Sequence, residues 1–258
     1  MNPRTYLATT ARVLTQLGHD RRTIGLIMVV PGALVTLLYL VYLDSPLGEV
    51  LFDSLAVSMI AILPMAVMFL VTSVTMLRER ASGTLERLWT TPLHRADLVM
   101  GYATAFTLLS LGQSLLLVAV CAWGLGVTLA GSWAWVVLVA LVDAFVGVAL
   151  GLLVSAFSRS EFQAVQFMPL VVGIQLFLCG ILVPRGELPR VLELVSRLLP
   201  MSWAVNAVNE VRTSDVVTAG LVCDLGVLVV TGLVVLAAAP LTMPRRTMSA
   251  MSRLRSFT

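Results

Sequence analysis

Six runs of 18 or more nearly uncharged residues, at about 24–43, 55–77, 100–125, 132–157, 165–183 and 219–239, alternate along the chain with polar stretches. A run of that length covers a hydrocarbon core of ~30 Å as helix. Lipid offers no partner to open backbone N–H and C=O groups, so helix is the expected conformation of each run. The pattern predicts an all-α integral membrane protein. An amphipathic segment, residues 1–23, precedes a six-helix domain over 24–239, and a basic tail covers 240–258. Within the first segment, Tyr6, Val13, Leu14 and Leu17 fall near one helical face, with Arg4, Arg12 and Gln16 elsewhere. A helix lying in the membrane interface is expected there. Two roles are open for it, an Arg-rich anchor and an elbow that frames a partner's docking surface. No small-residue cleavage site follows the first run, so that run is expected to be retained in the mature chain.

Two polar stretches are longer than a tight connection needs. The first, residues 78–97, reads Arg78-Glu79-Arg80-Ala81-Ser82-Gly83-Thr84-Leu85-Glu86-Arg87-Leu88-Trp89-Thr90-Thr91-Pro92 before the chain restarts at His94, Arg95 and Asp97. Ser82 and Gly83 can end the helix leaving the second span, and Thr84 suits an N-cap. Leu85 and Leu88, spaced i and i+3 with Trp89 beside them, can be buried while Glu86 and Arg87 are presented. Pro92 stops the short helix, and Gly101 permits close packing as the third span begins. The second stretch, 184–218, places Leu188, Val191, Leu192, Val195, Leu198 and Leu199 at helical spacing between Pro189 and Pro200. Eleven residues are too few to cross a bilayer. A helix in the interface, or a re-entrant hairpin continuing through Trp203, is expected, either as a gate or as a cap on the bundle.

Composition agrees with a membrane chain: 59% of residues are hydrophobic, 12% are charged and mean hydropathy is +0.97, where a soluble domain carries roughly 25% charged residues. All 17 basic residues are Arg. Thirteen fall on the side of the N-terminal segment, the stretch after span two, Arg159 and the tail. Four (Arg185, Arg190, Arg197 and Arg212) fall on the other side, whose first connection holds Asp44, Glu49 and Asp53. The positive-inside rule then puts both termini in the cytoplasm. The net charge of +3 is a topology signal, and nucleic-acid binding is not indicated.

The residues capable of chemistry are few. Cys121, Cys179 and Cys223 fall in separate spans without a CxxC pair or a neighbouring His, which argues against a metal or disulfide framework. His19 and His94 are the only histidines and lie in polar segments, so no buried Ser-His pair or His-based metal centre is expected. The chain contains no Lys and cannot form a P-loop, which places a Lys on the phosphates. Asp143 lies near the middle of span four, where a charge costs ~2.5–3.5 kcal/mol on insertion scales. With Gly147, Gly151 and Ser155 it repeats every four residues along a small-residue face. A hydrogen-bonded packing contact and a substrate or cation contact are both open for Asp143. Gln113, Gln163, Gln166 and Gln175 can line a route or bond between helices, and Asp224, nearer the end of span six, can reach the interface.

The stretch Arg78-Glu79-Arg80-x-x-Gly83-Thr84-Leu85-Glu86-x-Leu88-x-x-Thr91-Pro92 resembles the connection after span two in membrane subunits of type 2 ABC exporters, a class that includes actinobacterial drug-resistance permeases and polysaccharide exporters. Phe177-Leu178-Cys179-Gly180-Ile181-Leu182-Val183-Pro184 with Leu188-Pro189, and Leu199-Pro200-Met201-Ser202-Trp203-Ala204-Val205-Asn206, are similar to that family's end of span five and approach to span six. The resemblance covers essentially the whole chain. It implies a coupling helix around residues 83–92 seated on a separate ATPase subunit dimer that binds ATP and Mg, with Glu79 and Glu86 facing the partner. It also implies a second permease subunit, identical or different, and no cofactor on this chain. Pro184, Pro189, Pro200 and Trp203 would belong to an outer gate. A small polar residue, often Ser, is common in the family where Cys179 stands. On this reading the chain is the non-catalytic permease of an exporter for a hydrophobic drug or lipid-like molecule. A glycan or lipid-linked precursor exporter and a non-transporting sensor are the alternatives. The absence of Lys fits a high-GC coding bias and, with the resemblance, an actinobacterial plasma membrane.

Overall fold

A computed structural model describes residues 3–46, 48–82 and 95–242, and every element among them is helical. The motif residues Gly83, Thr84, Leu85, Glu86, Arg87, Leu88, Trp89 and Pro92 lie outside the described residues, as does the tail from 243 onward.

The N-terminal segment forms α1, Pro3–His19. Asp20 then caps α2, Arg21–Tyr42, its carboxylate accepting from the Thr23 amide at 3.1 Å and the Thr23 hydroxyl at 2.6 Å. The second span is α3, Gly48–Ala81, a 34-residue helix that exceeds the expected 55–77 at both ends. At 1.5 Å per residue it runs about 50 Å, well beyond a ~30 Å core, because its charged last turns find partners on neighbouring helices. The third span is α4, Arg95–Ala119, continued by a π turn over Val120–Gly124. Ser132 caps α5, Trp133–Val154. Span five comes in pieces: α6, Glu161–Met168, a π turn over Pro169–Gly173, and α7, Ile174–Leu178. Pro169 has no N–H to give, so a wide turn falls where the ladder loses a donor. The last described span is α10, Ala219–Ala238, capped by Thr218. Among the described residues, six helical stretches are thus long and apolar enough to cross a membrane.

Between spans five and six the prolines set the path. Gly180 takes φ +99°, where a Cβ would be strained, and turns the chain out of α7. Pro184 precedes a 3-10 turn, Arg185–Glu187. Pro189 precedes α8, Arg190–Leu198, and Pro200 begins α9, Pro200–Thr213, with a bend of 87° between them. On α8 the polar Ser196 is buried, whereas Val191, Leu194 and Leu198 of the apolar face are exposed.

The core is organised around α5. Its small-residue face meets α3 so closely that a Cβ on Gly147 would lie 2.4 Å from the Met65 carbonyl oxygen, and one on Gly151 2.6 Å from that of Phe69. Gly232 of α10 gives the same room to the Phe145 ring. Around these contacts one apolar cluster joins Ile60, Leu117, Val139, Val208 and Leu228. A second joins Met76, Leu98, Phe106, Val148 and Leu236 toward the end of the bundle that carries α1. A third, of Met65, Phe69, Val172, Cys179 and Met201, seats the broken span and α9 on α3.

Candidate functional site

At the arginine-rich end of the bundle, polar side chains fasten α1 to the adjoining ends of α3 and α4. Thr9 of α1 sits over Gly101 of α4, where a Cβ would come within 2.7 Å of its Cγ2. This approach aligns three contacts along the two helices. Thr5 Oγ1 donates to Asp97 Oδ2 at 3.1 Å, the Tyr6 hydroxyl meets that of Thr104 at 2.8 Å, and Arg12 Nη2 donates to the Tyr102 hydroxyl at 3.1 Å. The same Arg12 nitrogen lies 3.6 Å from Glu79 Oε1, at the end of α3. Arg12, Tyr102 and Glu79 therefore form a clamp of three helices, four residues before the unplaced motif begins.

Within this chain, the Glu79 side chain is 12% exposed and lies beside Arg12. A carboxylate on the inner side of α3 needs a cation within a few ångströms, and α1 supplies one. The neighbouring Arg80 is half-buried, and its Nε and Nη2 have no partner among the described residues.

The opposite side of α3 carries a looser joint. Arg78 makes a bidentate pair with Glu161, the first residue of α6, through two bonds of 2.8 Å, with both side chains at least half exposed. Between the clamp and this pair opens a cavity of about 620 Å³. Leu70, Val71, Val74 and Val165 form its apolar wall, and Gln16, Asp20, Arg78, Glu79 and Glu161 its polar side. The hydrogen bonds from Thr23 hold the Asp20 carboxyl below its usual range, so this side carries acids at neutral pH. A half-apolar cavity with a charged side suits an amphiphile.

The intramembrane residues sort differently from one another. Asp143 is fully buried on α5, and neither carboxylate oxygen has a partner among the described residues. No donor among the described residues completes the hydrogen-bonded packing contact that the sequence leaves open for it. Asp224 is 3% exposed and accepts from Asn206 Nδ2 of α9 at 2.6 Å. Gln175 is buried and bridges helices, accepting from the Met201 amide at 3.2 Å while donating to the Val171 carbonyl at 2.7 Å. Gln163 helps to close the start of α6. The Ser160 hydroxyl accepts from its amide at 3.2 Å, and its Oε1 accepts from the Arg159 amide at 2.8 Å. Gln166 is exposed, and Gln113 is buried with both amide atoms unpartnered among the described residues.

At the far end the structure gathers the proline-rich turn around Trp203. Its indole donates to the Arg197 carbonyl at 2.8 Å, and the Arg185 guanidinium stands 5.3 Å from the ring centroid. Pro184 starts the turn that carries Arg185, and Pro189 and Pro200 bound α8. Cys179 donates to the Leu176 carbonyl at 3.2 Å, a local bond of the kind a serine would make.

Sequence reasoning missed the clamp. Arg12 and Tyr102 are 90 residues apart, and Arg78 and Glu161 are 83 apart. The available signal was charge: Arg78, Glu79 and Glu161 occur where an apolar run begins or ends, and Arg12 lies in the amphipathic segment before the first run.

Comparison with known proteins agrees with the geometry. The sequence pattern of a family described as ABC-2 type transporter matches residues 5–213. The chain is also 32% identical over 164 residues to ABC transporter G family member 20 of Dictyostelium discoideum. That match takes in 64% of this chain and 22% of the relative's length, so the chain spans well under half of that protein.

Proposed function

Because the chain belongs to the ABC-2 type transporter family, whose members are membrane permeases, we propose that it is the permease subunit of an ATP-driven exporter of hydrophobic or amphiphilic molecules. A separate ATPase dimer binds ATP and Mg and engages residues 83–92, and a second permease subunit completes the route. The arginine-rich end is cytoplasmic in this reading, as the distribution of Arg between the two sides supports. The membrane is the bacterial plasma membrane, and the proline-rich turn around Trp203 is the outer gate.

The observation that carries the reading is the clamp of Arg12, Tyr102 and Glu79. Coupling needs an element with two states that both nucleotide and substrate bias. A force applied at residues 83–92 enters the membrane through α3 and α4, the two helices that α1 ties together. The adjoining cavity supports an amphiphilic cargo, since its apolar wall and acidic side lie on that same joint.

Purification of the chain from native membranes in mild detergent, followed by mass spectrometry and an ATPase assay, tests the proposal. A stoichiometric P-loop ATPase is expected, and it is lost when Leu85, Glu86 and Leu88 are replaced together. Absence of any ATPase even after cross-linking overturns the reading.

A further inference from the structure

At the end of the bundle opposite the clamp, where α2 turns into α3, a second cavity of about 240 Å³ opens. Tyr39, Tyr42 and Phe52 supply its aromatic walls, Asp53 its acid, and Leu125 and Gly126 close it from the turn after α4. The Tyr39 and Phe52 rings meet edge to face, with centroids 5.2 Å apart and planes at 67°, so two walls of the box stand at a steep angle to each other. Phe52 is buried and fixed, while both tyrosines are half-buried. Neither tyrosine hydroxyl has a hydrogen-bond partner among the described residues.

The acid is held in position from another part of the chain. Asp53 Oδ2 accepts from the Thr128 hydroxyl at 2.6 Å and from its amide at 3.3 Å, which pins the carboxylate to the connection leading into α5. No cation pairs with it among the described residues: none of the lining side chains is basic, and Asp44 between α2 and α3, with Glu49 and Asp53 at the start of α3, comes without an Arg or Lys nearby in sequence.

These features select a ligand by its chemistry. Ring faces attract a cation through their quadrupoles, and converging aromatic walls favour an alkylated ammonium, which presents methyl groups to the rings and has few N–H donors left to satisfy. The fixed carboxylate adds the counter-charge. A drug-sized ligand needs roughly 300–1,000 Å³, so this smaller space suits a head group alone, and Leu43 at the rim is 55% exposed where an alkyl tail would leave. We infer that the box formed by Tyr39, Tyr42, Phe52 and Asp53 is a binding site for a tertiary or quaternary ammonium head group. It faces the side that the proposed function places outside. The head group is carried either by a choline-type lipid or by a free amine.

The test is calorimetric titration of choline chloride into the full chain, with its partners, in phosphatidylglycerol nanodiscs. Choline is expected to bind at least about tenfold more tightly than dimethylbutanol, its neutral carbon isostere. Asp53→Asn and Tyr42→Ala each weaken choline by about tenfold, whereas Tyr39→Phe, which keeps the ring, stays within about twofold. Equal binding of the neutral isostere, or no choline binding at millimolar concentration, overturns the inference on the unaltered protein. Unchanged choline affinity in both Asp53→Asn and Tyr42→Ala does the same. Repeating the titration in phosphatidylcholine nanodiscs assigns the source. A weakened choline affinity supports the site with lipid as its occupant, and an unchanged one supports it with a free amine. Neither readout requires transport, so the result stands apart from the fate of the exporter reading.

Discussion

Spans four and five differ in nearly every physical respect although both are apolar. The α5 helix is uninterrupted, and 61% of its most apolar stretch is buried, whereas the corresponding stretch of α6 and α7 is 17% buried and broken by the turn at Pro169. The α5 glycines bring it against the α3 backbone, where neither side can give way. Span five leans on the same helix through side chains and, at its start, through one exposed ion pair. Helix α3 therefore has a welded side and a hinged side. A bundle that changes shape will keep the first contact and vary the second, since closely packed interfaces shift between discrete arrangements and do not stretch.

The sharpest way to break this comparison is to fill the weld. Gly147→Val would drive side-chain atoms into the Met65 carbonyl, a backbone atom that cannot rotate aside. The expected loss is ~3 kcal/mol or more, above the usual range for overpacking, read as failure to assemble or a large fall in melting temperature in detergent. Gly173→Ala in the broken span is the control, because the nearest atom to its Cβ is Pro169 Cβ at 3.9 Å. It should range from neutral to ~1 kcal/mol more stable, as Ala is the better helix former. Equal losses at the two sites would remove the distinction.

A second test asks what the welded side tolerates. Asp143 is buried beside that seam without a partner among the described residues, so a neutral amide of the same shape should be no worse. Asp143→Asn is expected to leave the melting temperature unchanged or to raise stability by up to ~2 kcal/mol. A fall comparable with that of Gly147→Val would show that the carboxylate works against a partner.

Smaller effects separate the two polar joints of α3. In a double-mutant cycle of Arg12→Ala and Glu79→Gln, a coupling of about 1 kcal/mol is expected, because the pair is partly buried and shares Tyr102. Substrate-stimulated ATPase should fall with it in the assembled transporter. The cycle of Arg78→Ala and Glu161→Gln should give roughly 0.2–1 kcal/mol, and that coupling should fade in high salt, because both side chains are solvated. A larger, salt-resistant coupling at Arg78 and Glu161 would reverse the assignment of weld and hinge.

Much of this architecture was legible before any coordinates. The apolar runs placed all six spans, although α3 begins at Gly48, well before 55, and continues past 77 to Ala81. Hydropathy ended that span at its charges, but Arg78 and Glu79 find partners laterally and the helix goes on. Gly147 and Gly151 were readable as a contact face, and α3 is the helix they meet. The site was legible only in part. Pro184, Pro189 and Pro200 announced the turn that gathers around Trp203, whereas nothing in the local sequence announced the bond between Asp224 and Asn206.

By itself the sequence determined the number of spans, the places where helices must stop, the asymmetry of Arg and the absence of a P-loop lysine. These are local properties: length against bilayer thickness, a missing N–H, a missing side chain. Tertiary structure alone decided that Arg12 serves Glu79, that Arg78 serves Glu161, that Asp143 has no partner among the described residues and that Tyr39, Phe52 and Asp53 surround one space. Each depends on which faces of distant helices meet. A polar residue in a span must find a partner or remain uncompensated, and its own neighbours in sequence do not say which.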